Sequence, residues 1–194
     1  MTMPVDAQSD VSDEVLLVAF GNGDRDAAFE LTRRLTPRVL GYAARMLGDR
    51  AEAEDVAQDA MMRLWRIAPE WRQGEAKVTT WLYRVVSNLC TDRLRRRRWV
   101  DIDAIPEPLD GAASVQAGME EAERQAALSQ ALQGLPERQR QAVVLRHIEG
   151  MANPEIAAVM DMSVEAVESL TARGKRALAA ALAERREELG YGED

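Results

Sequence analysis

An all-α fold of two small helical domains joined by an acidic flexible linker is what this sequence predicts. Three observations carry that expectation. Alanine, leucine, arginine and glutamate dominate while runs of β-branched residues are scarce. Apolar residues recur at helical spacing through most of the chain. Between residues 101 and 118 that periodicity stops, and Pro106, Pro108, Gly111 and Gly118 appear among acidic residues.

Residues 1–12 are polar and acidic and read as a disordered tail, not a signal peptide. The first helix spans about 13–21, with Val15, Leu16, Val18 and Ala19 on its apolar side. Asp24 caps a second helix carrying Ala27, Ala28, Leu31 and Leu35. Pro37 starts or kinks a further stretch, which Gly48-Asp49 ends. A long helix follows over about 51–67, then a loop around Trp71, then a helix from Thr79 or Thr80 that closes in arginines. After the linker come a helix over about 119–133, a Gly134-Leu135-Pro136 break and a helix over about 137–149. The segment 151–183 reads as a helix-turn-helix. Pro154 opens its first helix, Asp161-Met162-Ser163 is the turn, and Ser163 caps a second helix that ends in Arg173, Lys175 and Arg176. Residues 13–100 and 119–189 are thus the two domains, with 190–194 a short tail.

The 46% apolar fraction is enough for a real core, and no stretch of about 18 apolar residues suggests a membrane span. Cys90 is the only cysteine and His147 the only histidine. An intramolecular disulfide is therefore excluded and a His/Cys metal cage has too few ligands. Cys90 reads as a core residue and His147 as a partly buried helix residue. No phosphate loop and no nucleophile motif is visible, so no enzyme, cofactor or metal is expected. The chain reads as cytoplasmic.

The net charge of −8 argues against nucleic acid only if its distribution is ignored. Residues 1–30 and 101–123 are strongly acidic. Between them five of the six positions from 93 to 98 are arginine, more than a helix C-terminus needs to complement its dipole. Ahead of them Thr80, Tyr83, Arg84, Ser87, Asn88 and Thr91 interleave aromatic, amide, hydroxyl and cationic groups, the set that holds unstacked bases and their phosphates. Over 51–67, Val56, Ala60, Leu64 and Ile67 share one face, and Glu54, Asp55, Gln58, Asp59 and Met62 lie off it with Trp65 at the border. On pattern alone this is a helix with a solvated acidic side or a protein-binding face, and carboxylates beside Met and Trp anchors suit a basic protein partner.

Taken in order, AEDVAQDAMMRLW at 53–65, TTWLYRVVSNLCTDRLRRRR at 79–98, LPERQRQAVVLRHIEG at 135–150 and the helix-turn-helix resemble the bacterial extracytoplasmic-function sigma factors, RNA polymerase subunits that select promoters. The resemblance covers nearly all of 13–183. It implies that Asp55, Gln58, Asp59, Met62 and Trp65 dock on core polymerase. It implies that the loop residues Trp71 and Lys77, with Thr80, Tyr83, Arg84, Ser87 and Asn88, read melted non-template bases of the minus-ten element, and that Arg93, Arg95, Arg96, Arg97 and Arg98 approach its phosphates. It implies that Ser163, Glu165, Ala166, Glu168, Ser169, Thr171, Arg173, Lys175 and Arg176 read minus-thirty-five duplex. An anti-sigma partner, a monomeric free state and no membrane insertion are further expectations.

Three positions depart from the family. Val78 stands where Phe is usual, Asp161 where Gly is usual, and Leu170-Thr171 where a polar or basic residue usually precedes Leu. Asp tolerates the left-handed backbone that the turn asks for. Two rivals compete: a homodimeric helix-turn-helix regulator binding an operator, and a helical adaptor that binds protein only. The first lacks a dimerisation or ligand module, and the arginine cluster speaks against the second.

Overall fold

The computed structural model describes residues 11–72, 74, 77–100 and 119–188. The expectations for residues 1–10, the linker and the C-terminal tail lie outside these. Among the described residues the chain forms α1 (Asp13–Gly21), α2 (Arg25–Leu47), α3 (Arg50–Ile67), a 3-10 turn at Ala68–Glu70, α4 (Val78–Val100), α5 (Met119–Gln133), α6 (Glu137–Val143) running into a π turn at Val144–Ile148, α7 (Asn153–Met160) and α8 (Val164–Glu188). None of these helices is long and apolar enough to cross a membrane.

Local chemistry sets most of the boundaries. Ser12, assigned from sequence to the tail, instead caps α1 by accepting from the Val15 amide at 3.4 Å. The Asp24 carboxylate accepts from the amides of Asp26 and Ala27 at the start of α2. Gly48 ends α2 in the left-handed conformation, φ 66°. Pro37, expected to start or kink a new helix, lies inside a continuous 23-residue α2. Helix packing on both sides of the proline, with Leu31, Leu35, Val39, Tyr42 and Met46 all buried, overrides its local cost.

The start of α4 also departs from expectation. It begins at Val78, ahead of both threonines, and residue 77 is a lysine with no acceptor to offer. A carboxylate from α1 supplies the cap: Glu14 Oε1 accepts from the Val78 amide at 3.0 Å. An anion at a helix N-terminus is favoured by the dipole as well as by the hydrogen bond. Glu14→Ala is therefore expected to cost about 1 kcal/mol, read as a shift of the denaturant midpoint at constant slope. An unshifted midpoint would show that the cap carries no stability.

The first core lies between α2, α3 and α4, where Tyr42, Met46, Val56, Ala60, Leu64, Leu82, Val86 and Cys90 are all but inaccessible. Burial pushes the Cys90 thiol up to about 12, so this sulfur is an apolar core atom, as its sequence context suggests. Tyr42 and Ser87 hydroxyls share a hydrogen bond of 2.8 Å within that core. At the edge of α2, Glu30 is 4% exposed and accepts from both Arg33 and Arg34, and Arg34 also reaches the Val11 carbonyl and Asp13. The hydrogen bonds from Arg33 and Arg34 hold the Glu30 carboxyl down at about 2, against an ordinary value of 4.5. A depressed carboxyl stabilises the fold above its unfolded pKa, and that contribution disappears as pH falls from 4.5 towards 2. Acid titration of the unfolding midpoint should show this loss, and Glu30→Gln should flatten the curve in that window. An identical curve for the variant would contradict the linkage.

In the second half α5 and α6 pack on α8, and α7 packs on both α8 and α4. Leu132, Val143, Val144, Leu145, Ile156, Val159 and Val167 form its buried interior. Asp161 adopts the left-handed conformation, φ 52° and ψ 57°, between α7 and α8, as the sequence requires of the turn. Ser163 accepts from the Ala166 amide at 3.2 Å and caps α8. That helix continues beyond Arg176 to Glu188, longer than its basic end suggests. The helix expected over 137–149 opens into a π turn, in which the Glu149 amide bonds the Val144 carbonyl at 3.0 Å. His147 sits on that turn and is exposed rather than partly buried.

Candidate functional site

Three surfaces collect the residues singled out from sequence. The first is a groove between α2 and α3. Glu54, Asp55, Gln58, Met62 and Trp65 line it from α3, with Ala57 and Met61 at its floor. Thr36 and Leu40 supply the opposite wall from α2. Four of the five expected docking residues thus converge on one depression. Asp59 lies beside it and is held by Arg63 through two hydrogen bonds of 3.1 and 3.2 Å. Met62 is 46% exposed, an unusual state for a large apolar side chain on a helix with a well-filled core. Trp65 is fixed from behind by an edge-to-face contact with Phe20, centroids 4.9 Å apart. The α2 wall was not singled out from sequence. Its signal is the i, i+4 pair Thr36 and Leu40, which is ambiguous while Pro37 is taken as a break.

The second surface runs along α4. Arg84 and Asn88 are exposed and point away from the core. Thr80 is half-buried, and Trp71 and Trp81 meet edge to face at 6.1 Å. Val78, standing in the family's Phe position, is fully buried. The remaining base-reading candidates are engaged within the chain. Tyr83 is 2% exposed and its hydroxyl donates to Glu149 on the other half of the chain. Burial, then the Glu149 carboxylate, hold its phenol well above the ordinary value, so it acts as a donor. Ser87 is buried against Tyr42. Lys77 donates to Glu155 at 2.6 Å.

The arginines that close α4 divide by role. Arg97 is anchored: its guanidinium donates to the Leu47 carbonyl at 2.9 Å and to Glu52 at 3.1 Å, with Asp49 at 3.6 Å. It ties the end of α4 to the α2–α3 corner, a task that a run of arginines does not disclose. Arg93 lies 3.6 Å from Asp55, Arg95 donates to Asp92 at 2.7 Å, and Arg98 donates to Glu137 at 2.5 Å. Arg95, Arg96 and Arg98 are exposed and can reach an external anion.

The third surface is the N-terminal half of α8. Ser163, Glu165, Glu168, Ser169, Arg173, Lys175 and Arg176 are exposed, and Ala166 is half-buried. Thr171 is half-buried with its hydroxyl turned inward. Glu168 accepts from Asn153 of α7 at 3.3 Å, and Arg173 Nε reaches back to the Ser169 carbonyl at 3.2 Å. Hydrogen bonds to its own amide and to Ser163 lower the Glu165 carboxyl, keeping it ionised at the helix N-terminus. Gly174 was not singled out from sequence, yet it is where α8 crosses α6. A Cβ there would lie 2.6 Å from Val143 Cγ2 and 3.1 Å from the Gln139 carbonyl oxygen.

Comparisons with known proteins accord with this arrangement. Residues 31–100 match the family described as Sigma-70 region 2, and residues 125–178 match Sigma-70, region 4. The RNA polymerase sigma-H factor of Pseudomonas aeruginosa is 33% identical over 181 residues, spanning 88% of this chain and 93% of that protein. The ECF RNA polymerase sigma factor SigE of Mycolicibacterium smegmatis is 33% identical over 104 residues, 54% of this chain and only 40% of SigE. SigM of Mycobacterium tuberculosis is 44% identical over 88 residues, 45% of this chain and 44% of SigM. The matches to SigE and SigM thus span less than half of those proteins. Among solved structures, CnrH in complex with the cytosolic domain of CnrY is similar at a TM-score of 0.66 and 27% identity, over 89% of this chain and 97% of that one. The sigma factor RpoE of Bartonella quintana, solved with the anti-sigma factor NepR, shares the fold at a TM-score of 0.62 and 22% identity, over 79% of this chain and 94% of that one.

Proposed function

This chain belongs to the extracytoplasmic-function class of RNA polymerase sigma factors, and from that premise we propose which of its surfaces performs each part of promoter selection. The α2–α3 groove docks on core polymerase in the cytoplasm. Asp55 on its wall and Asp59 beside it face a basic partner surface, and Met62 and Trp65 are its apolar anchors. The exposed residues of α4 and Lys77, with Tyr83 once uncovered, hold unstacked bases of the melted minus-ten strand, while Arg95, Arg96 and Arg98 meet its phosphates. The N-terminal half of α8 enters duplex DNA at the minus-thirty-five element, with α7 placed across its backbone.

No covalent step is needed. Unstacking a base costs a few kcal/mol, which contacts to the flipped base return. Two tethered modules raise each other's effective concentration, so neither half has to bind tightly alone. The net charge of −8 fits a protein whose grip on DNA depends on polymerase. That CnrH is solved with the cytosolic domain of CnrY bound supports a protein partner for this chain, and the role we assign to that partner is to hold the chain inactive.

The observation that carries this reading is the convergence of Asp55, Gln58, Met62 and Trp65 with Thr36 and Leu40 on one groove. Run-off transcription tests it. The full chain is added to sigma-free bacterial core polymerase on a library of promoter DNA. Discrete new start sites are expected. Operator binding by the protein alone, without transcripts, would instead make it a free-standing regulator.

A further inference from the structure

The two halves of the chain are packed against each other, and the contact covers Tyr83 and engages Lys77, Thr91 and Arg98 on the side assigned to DNA, while Arg84 and Asn88 stay open. Three carboxylates of the second half reach across. Glu149, whose side chain is 7% exposed, accepts from the Tyr83 hydroxyl and lies 3.7 Å from the Arg45 guanidinium. Glu137 accepts from Thr91 at 2.9 Å and from Arg98 at 2.5 Å. Glu155 accepts from Lys77 at 2.6 Å. Each carboxylate occupies a hydroxyl or cation on α4 or its leading loop, apart from the Arg45 contact, and these are donors that a DNA strand would use. Behind them Gln133 donates to the Arg45 carbonyl at 2.8 Å and its side chain rests on Gly48, and Gln141 is buried. The contact is therefore an acidic row laid along a nucleic-acid face, with an amide-lined margin.

We propose that Glu137, Glu149 and Glu155 form an intramolecular latch that occupies part of the minus-ten reading face of the free protein in place of DNA, leaving the α2–α3 docking groove open. This rests on α4 being the DNA face. The groove is lined by α2 and α3 residues only, so polymerase can engage the closed chain first. Opening then uncovers Tyr83 and releases Lys77 and Arg98 from their carboxylate partners. Glu149 is the central element because its carboxylate is almost wholly withdrawn from water. The Lys77–Glu155 and Arg98–Glu137 pairs have cations about two-thirds exposed and are weakened by salt.

Two measurements on the full chain decide it. In the first, fluorescent dyes are attached to Arg66→Cys and Ala180→Cys, both exposed positions, Cys90 being too deeply buried to compete for the label. The latch predicts a short, narrow distance distribution that lengthens with salt, and a longer one for Glu137→Gln/Glu149→Gln/Glu155→Gln. Glu149→Gln alone serves where the triple variant folds poorly. Identical distributions for the parent and the variants would overturn the latch, whatever the transcription result. In the second, Thr91→Cys/Glu137→Cys is bridged with a short bismaleimide before core polymerase is added. Run-off from the bridged protein should fall about ten-fold or more below that of the unbridged double variant, because the competent state is withheld. Equal transcription from both would show that closure does not inhibit. If even the parent chain yields no transcripts with core polymerase, the sigma reading fails, while the dye distances still decide whether the latch exists.

Discussion

Reversing the charge of Asp55 and Asp59 together, to arginine, is expected to abolish promoter-directed transcription while leaving the fold intact. Both carboxylates are solvent-accessible, with side chains 67% and 42% exposed. Their partners within the chain are Arg93 at 3.6 Å and Arg63 at 3.1 Å, pairs of the kind that contribute less than about 1 kcal/mol. Thermal unfolding should therefore move little. In the proposed interface the same two positions would meet an oppositely charged surface, and the reversal would replace attraction by repulsion. A like-charge juxtaposition costs several kcal/mol, so affinity for core polymerase should fall about 100-fold or more. Binding of the labelled chain to core, measured beside run-off transcription, checks both consequences. Loss of activity with core binding unchanged would remove the α2–α3 groove from the docking role. Loss of both with a collapsed melting transition would reduce the effect to misfolding.

The second large effect is expected at Gly174. In an exposed helix interior, Gly→Ala usually gains about 1 kcal/mol, because alanine forms helix more readily. Here the sign reverses. The added methyl would sit 2.6 Å from Val143 Cγ2 and 3.1 Å from a backbone oxygen of α6, and only the valine can turn aside. Overpacking of this kind costs about 1–3 kcal/mol. The alternative is that α8 slides away from α6, which moves Glu168, Ser169 and Arg173 relative to α7. Either way Gly174→Ala should lower the unfolding midpoint and weaken transcription from promoters that depend on the minus-thirty-five element. An unchanged or raised midpoint would show that the crossing has slack that the structure does not reveal.

Much of the architecture was legible because the signals that set it are local. Asp24, Gly48 and Ser163 are caps whose chemistry acts within three or four residues, and Asp161 adopts the backbone that the turn needs. The α3 face could be read because one helix carries almost all of it. What escaped involves residues far apart in sequence. The Val78 amide is capped by a carboxylate 64 positions away. Arg97 belongs to a corner formed by α2 and α3, and nothing in RLRRRR marks it out from its neighbours. Pro37 is absorbed by a helix whose packing outweighs the local penalty. The closure of the second half over Tyr83 is the largest such case. Aromatic and hydroxyl side chains on α4 announce a polar ligand, and their spacing does not say that the same chain supplies one.

The π turn at Val144–Ile148 has a consequence for how this stretch is counted. Leu145 is buried, and regular α-helical winding from Gln141, Val144 and Leu145 would carry Ile148 inward with them. Instead Ile148 is 37% exposed, because the widened turn takes up one residue more than an α turn of the same rise. The turn is a local surplus of chain, and the helix before it and the loop after it keep their places without needing that residue. Deleting one position here is a change of length that the fold can take up by tightening to an α turn. The same deletion in the middle of α3 or α4 would rotate every downstream side chain by about 100°. In this part of the chain, residue number and position on the helix surface differ by one.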